Sequence, residues 1–149
     1  MMGRKLFEDV KITNAIAPAD GVAGVSDING AIIDMSGFEG VLAIVTFGAI
    51  TGSAVTSIKM QQDTAAAMGG AADLAGTAQT IADTDDEKTF YIDLHNPEER
   101  YVRLVVDRAT QNAVVASAIY IQYGAKAKAT TQGTNVSGES FSRVAEGTA

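Results

Sequence analysis

Hydrophobic and polar residues alternate most regularly in the stretch 89–106. In TFYIDLH (89–95) and in RYVRLVV (100–106) every second residue is apolar. A period of two places alternate side chains on opposite faces of a strand, so both runs are predicted to be β-strands. The polar residues 96–99 between them begin with Asn-Pro, which favours a turn. We therefore predict a β-hairpin over 89–106.

The same reasoning predicts further strands along the chain. Residues 40–50, GVLAIVTFGAI, form a nearly continuous apolar run rich in branched side chains, which indicates a buried central strand. Shorter or alternating patterns predict strands at 31–35, 54–62 and 113–123, and the segment 6–12 is compatible with an edge strand. Turn residues separate these segments at intervals of about ten residues. This spacing is typical of an all-β sandwich or jelly roll.

Some parts of the chain lack a core pattern. Residues 1–30 are rich in Ala, Gly, Asp and Pro and are predicted to form an N-terminal arm or loop segment. Residues 65–82 combine many alanines with helix-breaking glycines, which predicts a long loop with at most one helical turn. Residues 126–149 are polar and predict a flexible C-terminal arm. The expected architecture is a jelly-roll-like β-sandwich over 31–125 with extended N- and C-terminal arms.

Composition excludes several classes of protein. The chain has 149 residues, enough for one domain with a sizeable core, and a net charge of −7. An acidic chain without clustered Lys and Arg is unsuited to gripping nucleic acid. It contains no cysteine, which excludes disulfides and thiolate metal sites. The N-terminus lacks a secretory h-region and no apolar stretch is long enough to span a membrane, so we expect a soluble product made in a cytoplasm, without nucleic-acid or membrane partners.

The only histidine, His95, follows Asp93 by two residues, so both side chains are expected on one face of a strand. A hydrolase or a metal site could use such a pair. Neither a third partner nor a nucleophile motif such as G-x-S-x-G accompanies it. The favoured interpretation is therefore an exposed strand end.

Other motifs with possible chemistry are incomplete. Residues 83–87, DTDDE, resemble the start of a calcium loop but lack the glycine and the distal glutamate of that pattern. Glu98 and Glu99 could mimic a glycosidase pair, although adjacent turn carboxylates are usually solvated. The glycine-containing segments GAADLAG and GVAG lack the lysine of a nucleotide-binding loop. We predict no catalytic residue, no cofactor-binding residue, no metal site and no enzymatic activity.

Arg100, Arg103 and Arg108 form the densest basic group in this acidic chain. Arg103 alternates with the apolar set of its strand and is expected on the outer face. These arginines could pair with an acidic partner surface or with the chain's own Asp and Glu residues, in which case the exposed pairs would contribute little to stability.

Three motifs together carry a resemblance to a known family. They are IDMSGFEGVLAIVTFGAITGSAVTSIKMQQ, ERYVRLVVD and the terminal VAEGTA. With them the chain resembles a widespread group of small tailed-bacteriophage proteins, usually encoded beside the major capsid protein and regarded as head decoration or cement proteins. The resemblance spans roughly 32–149 but does not cover 65–82. The matching residues are Asp34, Gly37, Phe38, Gly40, Gly48, Thr51, Gly52, Arg100, Tyr101, Val102, Arg103, Ala145, Glu146, Gly147 and Thr148.

The resemblance implies a structural virion protein that forms homodimers or homotrimers on the outer surface of the capsid and bridges major capsid protein subunits. Arms that order on binding suit this role, and an acidic chain suits a position away from packaged DNA. We expect the capsid or subunit interface to include Phe141, Arg143, Arg100 and Arg103, because aromatic and arginine side chains are typical interface anchors.

Two alternatives remain open at this point. The same sandwich could serve a structural protein of the phage tail or baseplate. It could also be a carbohydrate-binding module, although such sites present aromatic platforms and this chain has no Trp and only 4 Tyr.

Overall fold

The computed structural model describes residues 5–142 and 144–147. In these residues the chain is almost entirely strand and loop, with a single 3-10 turn at Leu6–Glu8. The strands are β1 (Lys11–Ile16), β2 (Ile28–Asn29), β3 (Ile33–Asp34), β4 (Gly40–Ile50), β5 (Val55–Asp63), β6 (Ala72–Asp73), β7 (Gln79–Ile81), β8 (Thr89–His95), β9 (Tyr101–Ala109) and β10 (Ala113–Tyr123).

The strands form two antiparallel sheets. Sheet A has the order β1-β10-β4-β8, and sheet B has the order β2-β9-β5-β6, with β3 also paired to β9 and β7 to β5. The apolar faces of both sheets share one core, to which Val41 and Phe47 contribute from sheet A and Met60 and Leu104 from sheet B. The predicted all-β class is confirmed.

The predicted central strand is confirmed in position and length. β4 spans Gly40–Ile50 and lies between β10 and β8. Val41, Ala43 and Val45 are fully buried in the core, whereas Leu42 and Ile44 lie half-buried on the outer face of the sheet. The continuous apolar run therefore serves two different environments.

The predicted hairpin over 89–106 is wrong, although both of its strands exist. β8 pairs with β4 in sheet A, and β9 pairs with β5 in sheet B. The corner between them crosses from one sheet to the other. It begins at Asn96, which has a φ of 49° and donates its amide to Glu39 O at 2.8 Å. This left-handed conformation, which asparagine tolerates, turns the chain away from β8.

The segment 65–82 contains two short strands and no helix, which corrects the expected loop with a helical turn. Both β6 and β7 pair with β5. The carboxylate of Asp63 accepts the amides of Ala65 and Gly70 at 2.9 and 2.8 Å, and the Met60 amide donates to the Thr77 hydroxyl. These bonds hold the segment against the edge of sheet B. Its glycines are not destabilising there, because the segment forms no helix.

The expected N-terminal arm, residues 1–30, contributes strands to both sheets. β1 pairs with β10 at the edge of sheet A, and β2 pairs with β9 in sheet B. Ala15, Ile16 and Ile28 are buried in the core. In the part that the structure describes, this segment is built into the sheets, and the edge pairing expected for 6–12 occurs at 11–16.

Tyr120 links the two sheets through a buried hydrogen bond. Its side chain is fully buried, and its hydroxyl oxygen accepts the Leu104 amide at 2.7 Å. The Leu104 carbonyl in turn accepts the amide of Gly30 at 2.8 Å. A Cβ at Gly30 would lie 2.8 Å from the Tyr120 hydroxyl, so a side chain there requires the structure to shift. Burial also raises the pKa of Tyr120, because a phenolate would be desolvated.

The Tyr120 hydroxyl is expected to contribute measurably to stability. Tyr120→Phe leaves the buried Leu104 amide without an acceptor, which should lower the free energy of unfolding by about 1–3 kcal/mol in urea denaturation. Tyr91→Phe is the control, because that side chain is exposed and should change stability by less than about 0.5 kcal/mol. Equal effects of the two substitutions would contradict the role of this bond.

Candidate functional site

His95 and Asp93 share the exposed face of β8, as expected, and both contact Tyr123. The rings of His95 and Tyr123 stack with centroids 6.2 Å apart and planes 5° apart. The Tyr123 hydroxyl donates to Asp93 Oδ1 at 2.6 Å. Gly40 makes room for this ring, since a Cβ there would lie 2.3 Å from it. The carboxylate of Asp93 is thus engaged by a tyrosine rather than by the histidine.

The pKa of Tyr123 is raised in this cluster to about 12. Desolvation of the phenol is the main cause, and its hydrogen bond to Asp93 is the second. Among residues 5–142 and 144–147, His, Asp and Glu side chains form no group of three or more that could hold a metal ion. The cluster therefore offers a polar, aromatic surface at the edge of sheet A.

The acidic turn 83–87 fastens two parts of the fold together. Asp83 accepts the Ser53 amide at 2.7 Å, and Asp86 accepts the Ile50 amide at 2.6 Å. Ile50 is the last residue of β4, and Ser53 lies in the connection between β4 and β5. These carboxylates point at backbone N–H groups in different segments, so the turn acts as a structural cap. Sequence analysis found only an incomplete calcium-loop motif here, because nothing nearby in the sequence indicates the amides that the turn binds.

Arg100 is paired within the chain. Its Nε and Nη2 atoms lie 3.0 and 2.8 Å from the two carboxylate oxygens of Asp34, and its guanidinium lies 5.2 Å from the centroid of the Tyr101 ring. The Arg100 guanidinium holds the pKa of Asp34 well below its usual range. The arginine side chain nevertheless remains 56% exposed. Glu98 and Glu99 line an open cleft beside it, of about 430 Å³.

Arg103 belongs to a polar network on the outer face of sheet B, where the alternation predicted it. Its Nε donates to Gln61 Oε1 at 2.9 Å, and the Gln61 amide donates to Asp73 at 2.7 Å. Lys59 bridges Asp73 and Asp107 at 3.0 and 3.2 Å. These hydrogen bonds to Asp73 and Asp107 raise the pKa of Lys59.

Arg108 is a buried structural residue, which distinguishes it from the exposed Arg100 and the half-buried Arg103. Only 7% of it is exposed, and its guanidinium donates to the carbonyls of Val22, Ser26 and Ala113 at 2.7–2.8 Å. Burial lowers the pKa of Arg108. The sequence carries a usable signal for this position, because Arg108 is in phase with the inward residues of β9, such as Leu104.

Of the two anchors predicted in the C-terminal segment, the structure describes Phe141. Phe141 is 69% exposed, and the nearby Val144 is 71% exposed. Arg143 lies outside the described residues. Within the described part of the chain after β10, residues 124–142 and 144–147 form no strand or helix.

Comparison of the chain with protein-family models, with curated proteins and with solved structures finds no match. The family resemblance of the three motifs therefore stays a prediction. In the residues that the structure describes, no helix is both long and apolar enough to cross a membrane.

Replacing Arg108 should destabilise the fold. Arg108→Met leaves three backbone carbonyls without their donor, which is expected to lower the free energy of unfolding by about 2 kcal/mol or more. Arg103→Met, on the same strand but half-buried at the surface, should cost less than about 1 kcal/mol. Chemical denaturation of both variants measures the two free energies of unfolding. Equal decreases would contradict the stabilising role of the buried Arg108 contacts.

Stability should fall at high pH in a way that depends on Tyr123. The unfolded phenol titrates near pH 10, whereas the folded one titrates at about 12. Between these values the native state retains a proton that the unfolded state has lost, so stability decreases as pH rises. Urea denaturation from about pH 9 to about pH 11.5 should show a smaller decrease in Tyr123→Phe. Parallel curves for the two proteins would be inconsistent with this assignment.

Proposed function

We propose that this chain is a non-enzymatic structural protein of a tailed-phage virion, which decorates the outer surface of the head and bridges major capsid protein subunits. One observation carries the proposal: the C-terminal segment after β10 forms no strand or helix where it is described, and it exposes Phe141 and Val144. An exposed aromatic residue on an extended segment is suited to docking in a pocket of a neighbouring protein. The three resembling motifs support the same assignment.

The two-sheet body suits a mechanical role in this proposal. We infer a jelly-roll-like sandwich, because the long strands β4, β5, β8, β9 and β10 alternate between sheet A and sheet B along the chain. Each connection between these strands thus ties one sheet to the other. In this role the sheets provide a rigid support, and the C-terminal segment acts as an arm that orders on the capsid.

The capsid contacts would be numerous and individually weak. Arg100 keeps more than half of its side chain exposed although it pairs with Asp34, so it could also meet an acidic partner surface. Arg103 lies on the outer face of sheet B, bonded to Gln61. Both guanidinium groups already have hydrogen-bond partners within the chain, so neither depends on the capsid for one. On a repeating lattice, several such contacts and self-association as a dimer or trimer would add up by avidity.

The role of the C-terminal arm in head binding is tested by substituting Phe141. Phe141→Ala in the full-length protein should weaken binding to purified heads at least about tenfold, which corresponds to about 1.4 kcal/mol, because it removes a central aromatic contact. Leu6→Ala is the matched control: Leu6 is 68% exposed against 69% for Phe141, and its loss should leave affinity unchanged. Deleting residues 127–149 should preserve the circular-dichroism spectrum and weaken head binding. Unchanged affinity on deletion would rule out the arm.

The site of binding distinguishes a head protein from a tail protein. Purified protein mixed with virions and imaged by cryo-electron microscopy should give ordered density on the outer face of the head, at two-fold or three-fold positions for a dimer or trimer. Density on the tail or baseplate alone would contradict the head assignment and support a tail-associated role. Density on neither would overturn the proposal.

A further inference from the structure

The outer edge of β1 is covered by residues 130–133 of the C-terminal segment. The Ile12 amide donates to Gln132 Oε1 at 2.7 Å, and the Ile12 carbonyl accepts the Gly133 amide at 3.3 Å. The Val10 carbonyl accepts Gln132 Nε2 at 2.8 Å and also the Thr130 hydroxyl. Because β1 is the end strand of sheet A, these backbone groups face away from β10 and would otherwise be unpaired by the sheet.

The cover works chiefly through side chains. A glutamine carboxamide has the same C=O and N–H groups as a peptide bond. Gln132 therefore replaces the N–H and C=O that one residue of a neighbouring strand would offer, since it satisfies the N–H of Ile12 and the C=O of Val10 together. No strand is formed by residues 130–133. An edge satisfied in this way becomes a strand-accepting site as soon as the segment moves.

We propose that the β1 edge is a self-association site, at which a second copy of this chain adds its own β1 antiparallel across a two-fold axis, and that residues 130–133 keep it closed in the isolated chain. The outward direction of the Ile12 N–H and C=O makes Ile12 a hydrogen-bonding position, so the axis passes at Ile12. Val10 then lies opposite Asn14, and Lys11 opposite Thr13. No like charges meet in this register, whereas a register centred on Lys11 would oppose two lysines.

The outer face of sheet A favours a second copy as the occupant. Ile12, Ile121 and Leu42 are paired side by side across β1, β10 and β4, and all three are half-buried on that face. A two-fold axis at Ile12 continues this apolar row into the same row of the second copy. The opposite edge differs, because β8 carries Asp93 and His95 at its outer positions. A second β1 therefore matches the edge in both polarity and register.

Competition explains why the edge stays closed in the isolated chain. The cover is tethered to the fold, and tethered segments act at effective concentrations in the millimolar range. A second copy at micromolar concentration cannot displace it, but loss or capture of the C-terminal segment would open the edge. The inference does not rest on the proposed function, because it concerns only contacts within this chain and between its copies.

The first test compares the full chain with residues 1–126 by analytical ultracentrifugation at protein concentrations up to about 100 μM, which is below the millimolar effective concentration of the tethered cover. The shortened chain should have twice the mass of the full chain. Ile12→Pro in the shortened chain should return the mass to that of the full chain, because it removes the outward N–H and proline is tolerated on the open side of an edge strand. Ile12→Val keeps the N–H and should remain dimeric. Equal masses for both lengths, or a dimer that persists in Ile12→Pro, would overturn the proposal.

A second test uses the full chain and does not depend on the shortened one folding. Gln132→Ala should speed hydrogen exchange of the Ile12 amide at least about tenfold and lower the concentration at which dimers appear, because the amide loses its acceptor. Gln79→Ala is the matched control: its carboxamide donates to Tyr91 O at 2.8 Å on the opposite edge of sheet A. This control should change neither quantity. Unchanged exchange at Ile12 in Gln132→Ala would refute the cover.

Discussion

The buried hydrogen bond from the Leu104 amide to the Tyr120 hydroxyl determines how the two sheets meet. Leu104 is paired with β5 on one side of β9. On the other side it lies in the gap between β2 and β3, so its backbone groups have no strand partner there. Tyr120 from sheet A satisfies its N–H, and Gly30 satisfies its C=O. The next residue, Ala31, donates to Ala15 O at 2.7 Å and so reaches β1. These bonds connect β10, β9 and the end of β1, and so they tie the N-terminal segment to both sheets.

The strands that were predictable from sequence are long and are mostly apolar or alternating. The bounds of β4 and β10 match the predicted ones, because both strands are flanked on both sides and consist mostly of apolar residues. The alternation in 89–95 and 101–106 also predicts strands correctly. Alternation records which face is buried and carries no information about the neighbouring strand, so it could not reveal that β8 and β9 lie in different sheets. The short strands in 65–82 depend on Asp63 and Thr77 binding the backbone, which leaves no periodic signal.

Much of the acidic character of the chain is used internally. Asp34 binds Arg100, which is 66 residues away, Asp63 accepts the amides of Ala65 and Gly70, and Asp85 binds Lys88 and the Ala82 amide. These bonds lower the pKa of all three carboxyl groups. A lowered pKa stabilises the fold above the unfolded value near 4, and that contribution is lost as pH falls through the lowered pKa. Arg100 and Arg103 bind Asp34 and Gln61, which are 66 and 42 residues away, so these candidate interface arginines could be named from sequence but the particular side chains that they bind could not.

Both proposals involve the same C-terminal segment, but different residues of it. Residues 130–133 hold the β1 edge closed, and Phe141 lies only a few residues further along the chain. If docking of Phe141 draws 130–133 away from β1, then binding to a partner surface and pairing of two β1 edges favour each other. Thermodynamic linkage makes this coupling reciprocal, so a chain already paired through β1 would bind the partner more tightly by the same factor. An arm that covers an edge until it is engaged would confine self-association to the surface on which the arm is bound.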